Sequence, residues 1–546
     1  MFLLLVQILV DPNSVTMILI SSLFLLAVPF LSTESAASEL ESYSYSPCTR
    51  LSTPKVPGAE VLSITGVEKR NYTVTAVPQL LPNPIFGLNF CEVDVVLTHP
   101  NAGDRVLVKV WLPLQHWNGR FQATGGSGYA AGNFDASLGP AVQLGYSSAS
   151  TDAGVSVNPL SPAEWALRQD GTVNWDALTN FAHRSIHDMG IVGQDITAQF
   201  YGSKPEFSYW NGCSTGGRQA MAAAQRYPEI FDGILAGAPA INWATYVVAE
   251  QWPQVVMEEE GTFPSPCELK FFTTMAIEQC DELDGVRDGV ITDPDICNFD
   301  PYGLVGNKIQ CDGKTVTIGD STASVVEKIL QGPFSSSGEP LWYGLNVGAA
   351  LDSLANTNVT NGKRTGLPLF VNDNWIKYWL AKNPNYNTSR ISYETLYGLF
   401  DQSKREYDAI IGTDNPDLSE FHNVGGKLIV WHGLADQLIF PKGSIDYWER
   451  VERLMGGSSK VDEFFRLFLA PGVDHCAGGT TIGAVPNDVL KSLVSWVEEK
   501  KAPDTVPATL SNTPNGNKIE RILCPYPRTS RYMGGDKTSA ASFKCV

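Results

Sequence analysis

The sequence predicts an α/β domain with a mostly parallel sheet, interrupted by one large insertion. Three observations lead there. Strand-like apolar runs alternate with helical periodicity in the first half of the chain, as in residues 105–112 and then 180–200, and that alternation is the mark of βα units. It stops after residue 240 and resumes at 427, too long a gap for a structureless loop inside a compact domain. Residues 207–226 read as strand, sharp turn and helix in direct succession.

Composition bounds the class. The 546 residues are 43% hydrophobic and 18% charged, ordinary values for a chain that buries a large interior. A net charge of −19 leaves no basic footprint for phosphate backbones, so nucleic acid is excluded as a partner.

At the N-terminus, residues 17–31 form an apolar stretch of signal-peptide length, short of the about 20 residues that a membrane span needs. Ser35, Ala36, Ala37 and Ser38 offer a cleavage site, so residues 1–37 are expected to be a leader, with Met17 as the true start. No membrane anchor is expected, because Asp11-Pro12 breaks the apolar runs. Ten cysteines, an even number, fit export to an oxidising compartment. The sequons at Asn71, Asn358 and Asn387 are expected to be glycosylated there in a eukaryotic source. The expected product is secreted and extracellular.

The core is expected to comprise residues 38–240 and 427–546, with 241–426 inserted as a lid over the site. Residues 207–210 form a strand, 212–217 a turn, and the Ala-, Met- and Gln-rich 218–226 a helix. Residues 231–236 return as strand. Beyond the insertion, strands are predicted at 427–431 and 464–469 and a helix at 487–499, before a Pro/Gly-rich tail closed by Cys524 and Cys545.

The turn carries the chemistry. Gly212-Cys213-Ser214-Thr215-Gly216 is a G-x-S-x-G elbow, whose glycines permit a strained turn that pushes the serine oxygen out of the backbone. A serine needs a base and an oxyanion hole before it is a useful nucleophile. In an α/β-hydrolase core the partners follow in the order acid, then histidine, each in a loop after a strand. Asp436 lies just beyond the strand at 427–431, and His475 just beyond the strand at 464–469. Of the seven histidines, His475 alone follows Asp436. Asp474 is the rival acid, but a chain neighbour rarely points at the same ring nitrogen. His432 reads as a hydrogen-bonded residue at a strand end. For the oxyanion hole, the Thr215 amide is one expected donor, and the loop Gly125-Gly126-Ser127-Gly128-Tyr129 supplies the second through Gly126.

Cys213 precedes the serine and Cys476 follows the histidine. If Ser214 and His475 meet, a disulfide between their neighbours is geometrically possible; two unrelated buried thiols are the other reading. In the insertion, Cys280 and Cys297, which are expected to pair, bracket Asp281, Asp284 and Asp288, which crowd around two turn glycines. Hard oxygen ligands in a short loop suit calcium, and a solvated acidic turn suits the same spacing equally. Cys48 is expected to pair with Cys91, Cys524 with Cys545, and Cys267 with Cys311 by elimination.

The segments GCSTGGRQ, PSPCELKFFTTMAIEQCDELDGVRDGVI, GKLIVWHGLADQLI and PGVDHC give the chain a resemblance to the fungal tannase and feruloyl esterase family over nearly its whole mature length. The resemblance implies a disulfide between Cys213 and Cys476. It also implies a structural Ca2+ in the lid, held by the side chains of Asp281, Asp284 and Asp288 and the carbonyls of Val286 and Val290. The implied activity is hydrolysis of phenolic-acid esters. Thr215 and Gln219 resemble the feruloyl esterase branch, whose substrates are hydroxycinnamoyl esters of plant cell-wall polysaccharides; the long insertion and its CEL segment also resemble tannases, which act on galloyl esters. A reading of another class is an inactive secreted protein that binds carbohydrate or phenolic groups.

Overall fold

The computed structural model describes residues 47–478, 481–511 and 518–546. The leader expected over residues 1–37 lies outside them. Nine strands form the main sheet: β1 (Glu60–Val74), β2 (Ile85–Thr98), β3 (Val106–Pro113), β4 (Arg120–Thr124), β5 (Ser147–Thr151), β6 (Phe207–Cys213), β7 (Gly233–Gly237), β8 (Lys427–Gly433) and β9 (Phe465–Ala470). Their order is β1-β2-β3-β5-β4-β6-β7-β8-β9. The pairs β1/β2, β2/β3 and β3/β5 are antiparallel, and every later pair is parallel. This is the α/β-hydrolase arrangement, with helices covering both faces of its parallel half.

Burial alternates along the parallel strands as a two-residue period requires. Trp210, Ile234, Ala236, Leu428 and Val430 enter one apolar cluster, while Tyr209, Leu235 and Ile429 enter another. The first face is covered by α1 (Ser185–Tyr201), α2 (Thr215–Arg226) and α3 (Pro441–Met455), through residues such as Met189, Ala223 and Trp448. The second is covered by α4 (Val489–Glu499), through Leu493, Trp496 and Val497. Helix α2 is rich in alanine and glycine because it lies against the sheet: a Cβ on Gly217 would meet the Gly237 carbonyl oxygen at 2.4 Å.

β1 and β2 were not among the predicted elements. β1 is an edge strand whose residues are mostly exposed or half-buried, and it carries Glu60, Glu68, Lys69 and Arg70. Such a strand lacks a buried stripe to betray it, and its charges protect the open edge. Its Asn71 sits at a register shift against β2.

The segment 241–426 adds no strand to the nine-stranded sheet. Its strands form two separate hairpins, Lys308–Cys311 with Lys314–Thr317 and Thr357–Thr360 with Lys363–Gly366. The rest is mainly helical. Pro266–Cys280 starts at a capping box in which Ser265 and Glu268 satisfy each other's amides. An aromatic layer built from Trp243, Trp375, Trp379 and Tyr407 joins Tyr129 and Trp165 of the core. Two hydrogen bonds reach toward the site: the Tyr129 hydroxyl donates to the Val371 carbonyl at 2.6 Å, and Asn346 donates to the Leu434 carbonyl at 3.0 Å.

Candidate active site

Parallel strands end at one edge, and the loops beyond their carboxyl ends hold the candidate residues. Cys213 of β6 pairs with Gly237 of β7, and Gly433 of β8 with Ala470 of β9. Ser214 follows β6, Asp436 follows β8, and His475 follows β9.

Ser214 takes φ 64° and ψ −122°, a left-handed conformation that costs a non-glycine residue about 1–3 kcal/mol. Its amide donates to the Gly237 carbonyl at 3.0 Å. A Cβ on Gly212 would lie 2.8 Å from Gly216, so the elbow closes only with glycine there. Thr215 opens α2, and an amide in a helix's first turn has no acceptor within the helix. It sits at the positive end of the helix dipole, the electrostatic environment that an oxyanion donor needs.

Asp436 and His475 are brought together by stitching between their loops. The amides of Leu434 and Ala435 donate to the carbonyls of Ala470 (2.9 Å) and Val473 (3.0 Å). His475 Nδ1 then donates to Asp436 Oδ2 at 2.8 Å. The amides of Leu438 and Ile439 hold Asp436 Oδ1, each at 2.9 Å. Asp436 is fully buried. Burial opposes its charge, yet the charge of His475 and the hydrogen bonds from His432 and His475 hold it well below the usual carboxylate range. His475 is raised above the usual imidazole value: burial works against the proton, and Asp436 more than offsets it. Among the described residues no hydrogen bond closes between Ser214 Oγ and His475 Nε2, which lies 3.7 Å from Cys476 Sγ. Nucleophile and base often tighten only when substrate binds. The rival acid Asp474 is engaged by the Thr481 hydroxyl.

Cys213 and Cys476 are joined by a disulfide with their Cα atoms 6.1 Å apart. Cys476 and Ala477 both adopt positive φ, 53° and 59°. The other expected pairs are also bonded: Cys48–Cys91, Cys267–Cys311, Cys280–Cys297 and Cys524–Cys545.

One expectation is corrected. Gly126 was to supply the second oxyanion amide, but that amide donates to Gln219 Oε1 at 2.9 Å, and the Gly126 carbonyl accepts from the Gly216 amide at 3.0 Å. Gly126 instead docks its loop on α2. A Cβ there would strike the Ala130 carbonyl oxygen at 2.0 Å, so the glycine serves close approach. Gln219 lies one helical turn beyond Thr215.

Three further residues escaped the sequence reading of the site. Gln437 accepts the His475 amide at 3.1 Å. Arg218 is fully buried, donates to the carbonyls of Phe181 and Ala182, and lies over the Phe181 and Trp243 rings; burial pulls its guanidinium down to about 9. Glu250 is buried with Oε2 unpartnered, and burial, then the charge of Asp436, pushes it well above the usual range.

In the acidic loop, Asp281 Oδ1 accepts the amides of Asp288, Gly289 and Val290. Asp284 accepts from the Val286 amide and the Thr292 hydroxyl. Asp288 Oδ2 pairs with Arg521, while its buried Oδ1 has no partner. Among the described residues no three acidic, histidine or cysteine side chains gather into a ready metal cage. The donors are of the hard oxygen type that calcium takes, and the unpartnered Asp288 oxygen is compatible with such an ion.

The profile of the family described as tannase and feruloyl esterase matches residues 91–546. The chain belongs to the tannase and feruloyl esterase family. It is a carboxylic ester hydrolase. A probable feruloyl esterase of Arthroderma benhamiae is 49% identical over 526 residues, 96% of this chain and 98% of the relative. Among solved structures, the tannin acyl hydrolase of Aspergillus niger matches with a TM-score of 0.81 at 28% identity, covering 90% of this chain and 92% of that one. Feruloyl esterase B of Aspergillus oryzae matches with a TM-score of 0.75 at 28% identity, over 90% and 97%.

Proposed function

We propose that this family member hydrolyses feruloyl and related hydroxycinnamoyl esters of plant cell-wall polysaccharides through an acyl-enzyme on Ser214. The observation that carries the serine mechanism is the buried Asp436 held 2.8 Å from His475, whose chain neighbour is bonded to the chain neighbour of the strained Ser214. His475 Nε2 takes the Ser214 proton as Oγ attacks the ester carbonyl. The oxygen that becomes negative meets the Thr215 amide. His475 then gives its proton to the leaving alcohol, and a water repeats the sequence to release the acid. Asp436 orients the ring and stabilises the imidazolium without taking its proton.

The substrate class is supported by the 49% identity to a probable feruloyl esterase over 96% of the chain. Galloyl esters are the second reading, favoured by the TM-score of 0.81 with a tannin acyl hydrolase. An inactive binder has no use for the strain at Ser214. Secretion is supported by the five disulfides, and among the described residues no helix is long and apolar enough to cross a membrane. Asn71, Asn358 and Asn387 are exposed, as glycan acceptors must be. A structural calcium is supported by the oxygen donors around Asp281, Asp284 and Asp288 and the carbonyls of Val286 and Val290; bound there, it supplies positive charge that neutralises the crowded carboxylates.

Side-by-side rates on methyl ferulate and methyl gallate test the substrate, with faster ferulate turnover expected. Ser214→Ala is expected to abolish the burst of product from a chromogenic ester. Faster gallate turnover overturns the substrate assignment, and a burst that survives the substitution overturns the mechanism.

A further inference from the structure

His432 is a buried titratable residue to which the reaction sequence above gives no part. It lies near the end of β8, has no exposed surface, and is engaged at both ring nitrogens. Nε2 lies 3.1 Å from Asp436 Oδ2 and 3.1 Å from the Ile439 carbonyl oxygen, while Nδ1 lies 2.8 Å from Ser444 Oγ on α3. Both neighbours of Nε2 are acceptors, so Nε2 carries the hydrogen. The Ser444 hydroxyl then donates to the bare Nδ1 and sets the tautomer.

The consequence falls on Asp436. Its Oδ1 accepts two backbone amides, and its Oδ2 accepts from both His475 and His432. A carboxylate offers about four lone-pair sites, so this one is filled. His432 thus donates to the same oxygen that orients the base.

We propose that His432 is a positioning residue for ester hydrolysis: it pins Asp436 Oδ2 in place for His475, and by sharing that oxygen it limits how strongly Asp436 holds the proton on His475. This rests on the assignment of Ser214, His475 and Asp436 to the reaction. Without His432, Oδ2 loses one of its two donors. The carboxylate is then freer to swing and its charge is less dispersed, so it stabilises the imidazolium more and makes His475 a stronger base. The other titratable groups that feel Asp436 are Glu250 and Tyr246, both held toward their neutral forms by burial. Asp474 faces His475 from its own loop and raises it. None of them donates to Oδ2.

The test uses the full-length enzyme. His432→Phe keeps an aromatic ring and donates nothing, whereas His432→Gln places an amide N–H near the Nε2 position. Rates are normalised to active sites titrated with a chromogenic ester, and melting is recorded alongside. For His432→Phe, kcat is expected to fall about tenfold or more, as when a partner that orients a reacting ring is removed, with KM within about twofold and the acidic limb of the kcat/KM profile moved to higher pH. His432→Gln is expected to recover both.

Wild-type kcat per titrated site with an unmoved acidic limb in His432→Phe overturns the proposal, whatever happens to melting. If that variant does not fold, Ser444→Ala removes the tautomer lock and is expected to move the limb the same way by less; an unmoved limb in folded Ser444→Ala overturns the proposal equally. Activity surviving in Ser214→Ala fails the underlying assignment instead, so the two failures are told apart.

Discussion

Removing the Cys213–Cys476 bridge is expected to cost activity far more than stability. The bridge spans a sequence separation of 263. In the loop-entropy model a loop of this length contributes about 5–6 kcal/mol, an upper figure because other bridges already constrain the unfolded chain. Unfolding a domain of about 500 residues releases entropy on the order of 1 kcal/mol per kelvin, so the loss translates to a fall in Tm of about 5 °C or less. Catalysis responds on another scale. Cys476 and Ala477 hold positive φ beside His475, conformations that persist only where surrounding structure over-determines them. Freed of the bridge, this turn can relax and carry the imidazole away from Ser214. A displacement of about 1 Å at a reacting group costs on the order of 100-fold in rate. The assay is Cys213→Ala/Cys476→Ala, with initial rates on methyl ferulate compared with thermal melting of the same preparation. A double variant that keeps more than about a third of wild-type kcat refutes the clamp. So does a fall in Tm of about 15 °C with activity lost only in proportion to unfolding.

Three further outcomes are expected. Because His475 is raised above the usual imidazole value and must be unprotonated to act as base, the acidic limb of kcat/KM should have its midpoint above about 6.5; a midpoint clearly below that contradicts the paired geometry. His99 is buried between Asp104 (2.7 Å) and Asp188 (3.0 Å) and is raised, while Asp104 is lowered to about 2. The His99 share of stability is complete below its unfolded pKa and lost as pH rises through the folded one, and the Asp104 share is lost only as pH falls toward 2. His99→Gln should therefore lower Tm most near pH 5 and progressively less above neutrality, as melting across pH would show. A calcium chelator should lower Tm, and Asp288→Asn should remove that sensitivity; a Tm indifferent to both chelator and added calcium speaks against the ion.

How much of the site was legible depended on how local its signals are. The elbow announces itself because Gly212, Ser214 and Gly216 lie within one turn, and the strand before it and helix after it are adjacent in the chain. Asp436 and His475 were legible because each follows an apolar strand in the required order. Gln219 was not: its hold on Gly126 joins residues 93 apart in sequence, and no composition of the glycine loop says where its amides point. β1 stayed hidden because a charged edge strand has no fully buried stripe, and its pairing with β2 is what makes it a strand. His432 was read as hydrogen-bonded, but its partner there is the carboxylate that also holds His475.

The amino-acid sequence alone determined the α/β class, the order of nucleophile, acid and base, and the cysteines that flank two of them. These follow from turn chemistry and hydrophobic period, which act over a few neighbouring residues. Only the tertiary structure decided which amides are free to meet an oxyanion, which donors fill Asp436, and that Asp288 Oδ1 is left without a partner. Those outcomes turn on differences of a few tenths of an ångström in how loops and side chains settle once the fold is assembled. That is the range over which a hydrogen bond is made or lost, and no local pattern encodes it.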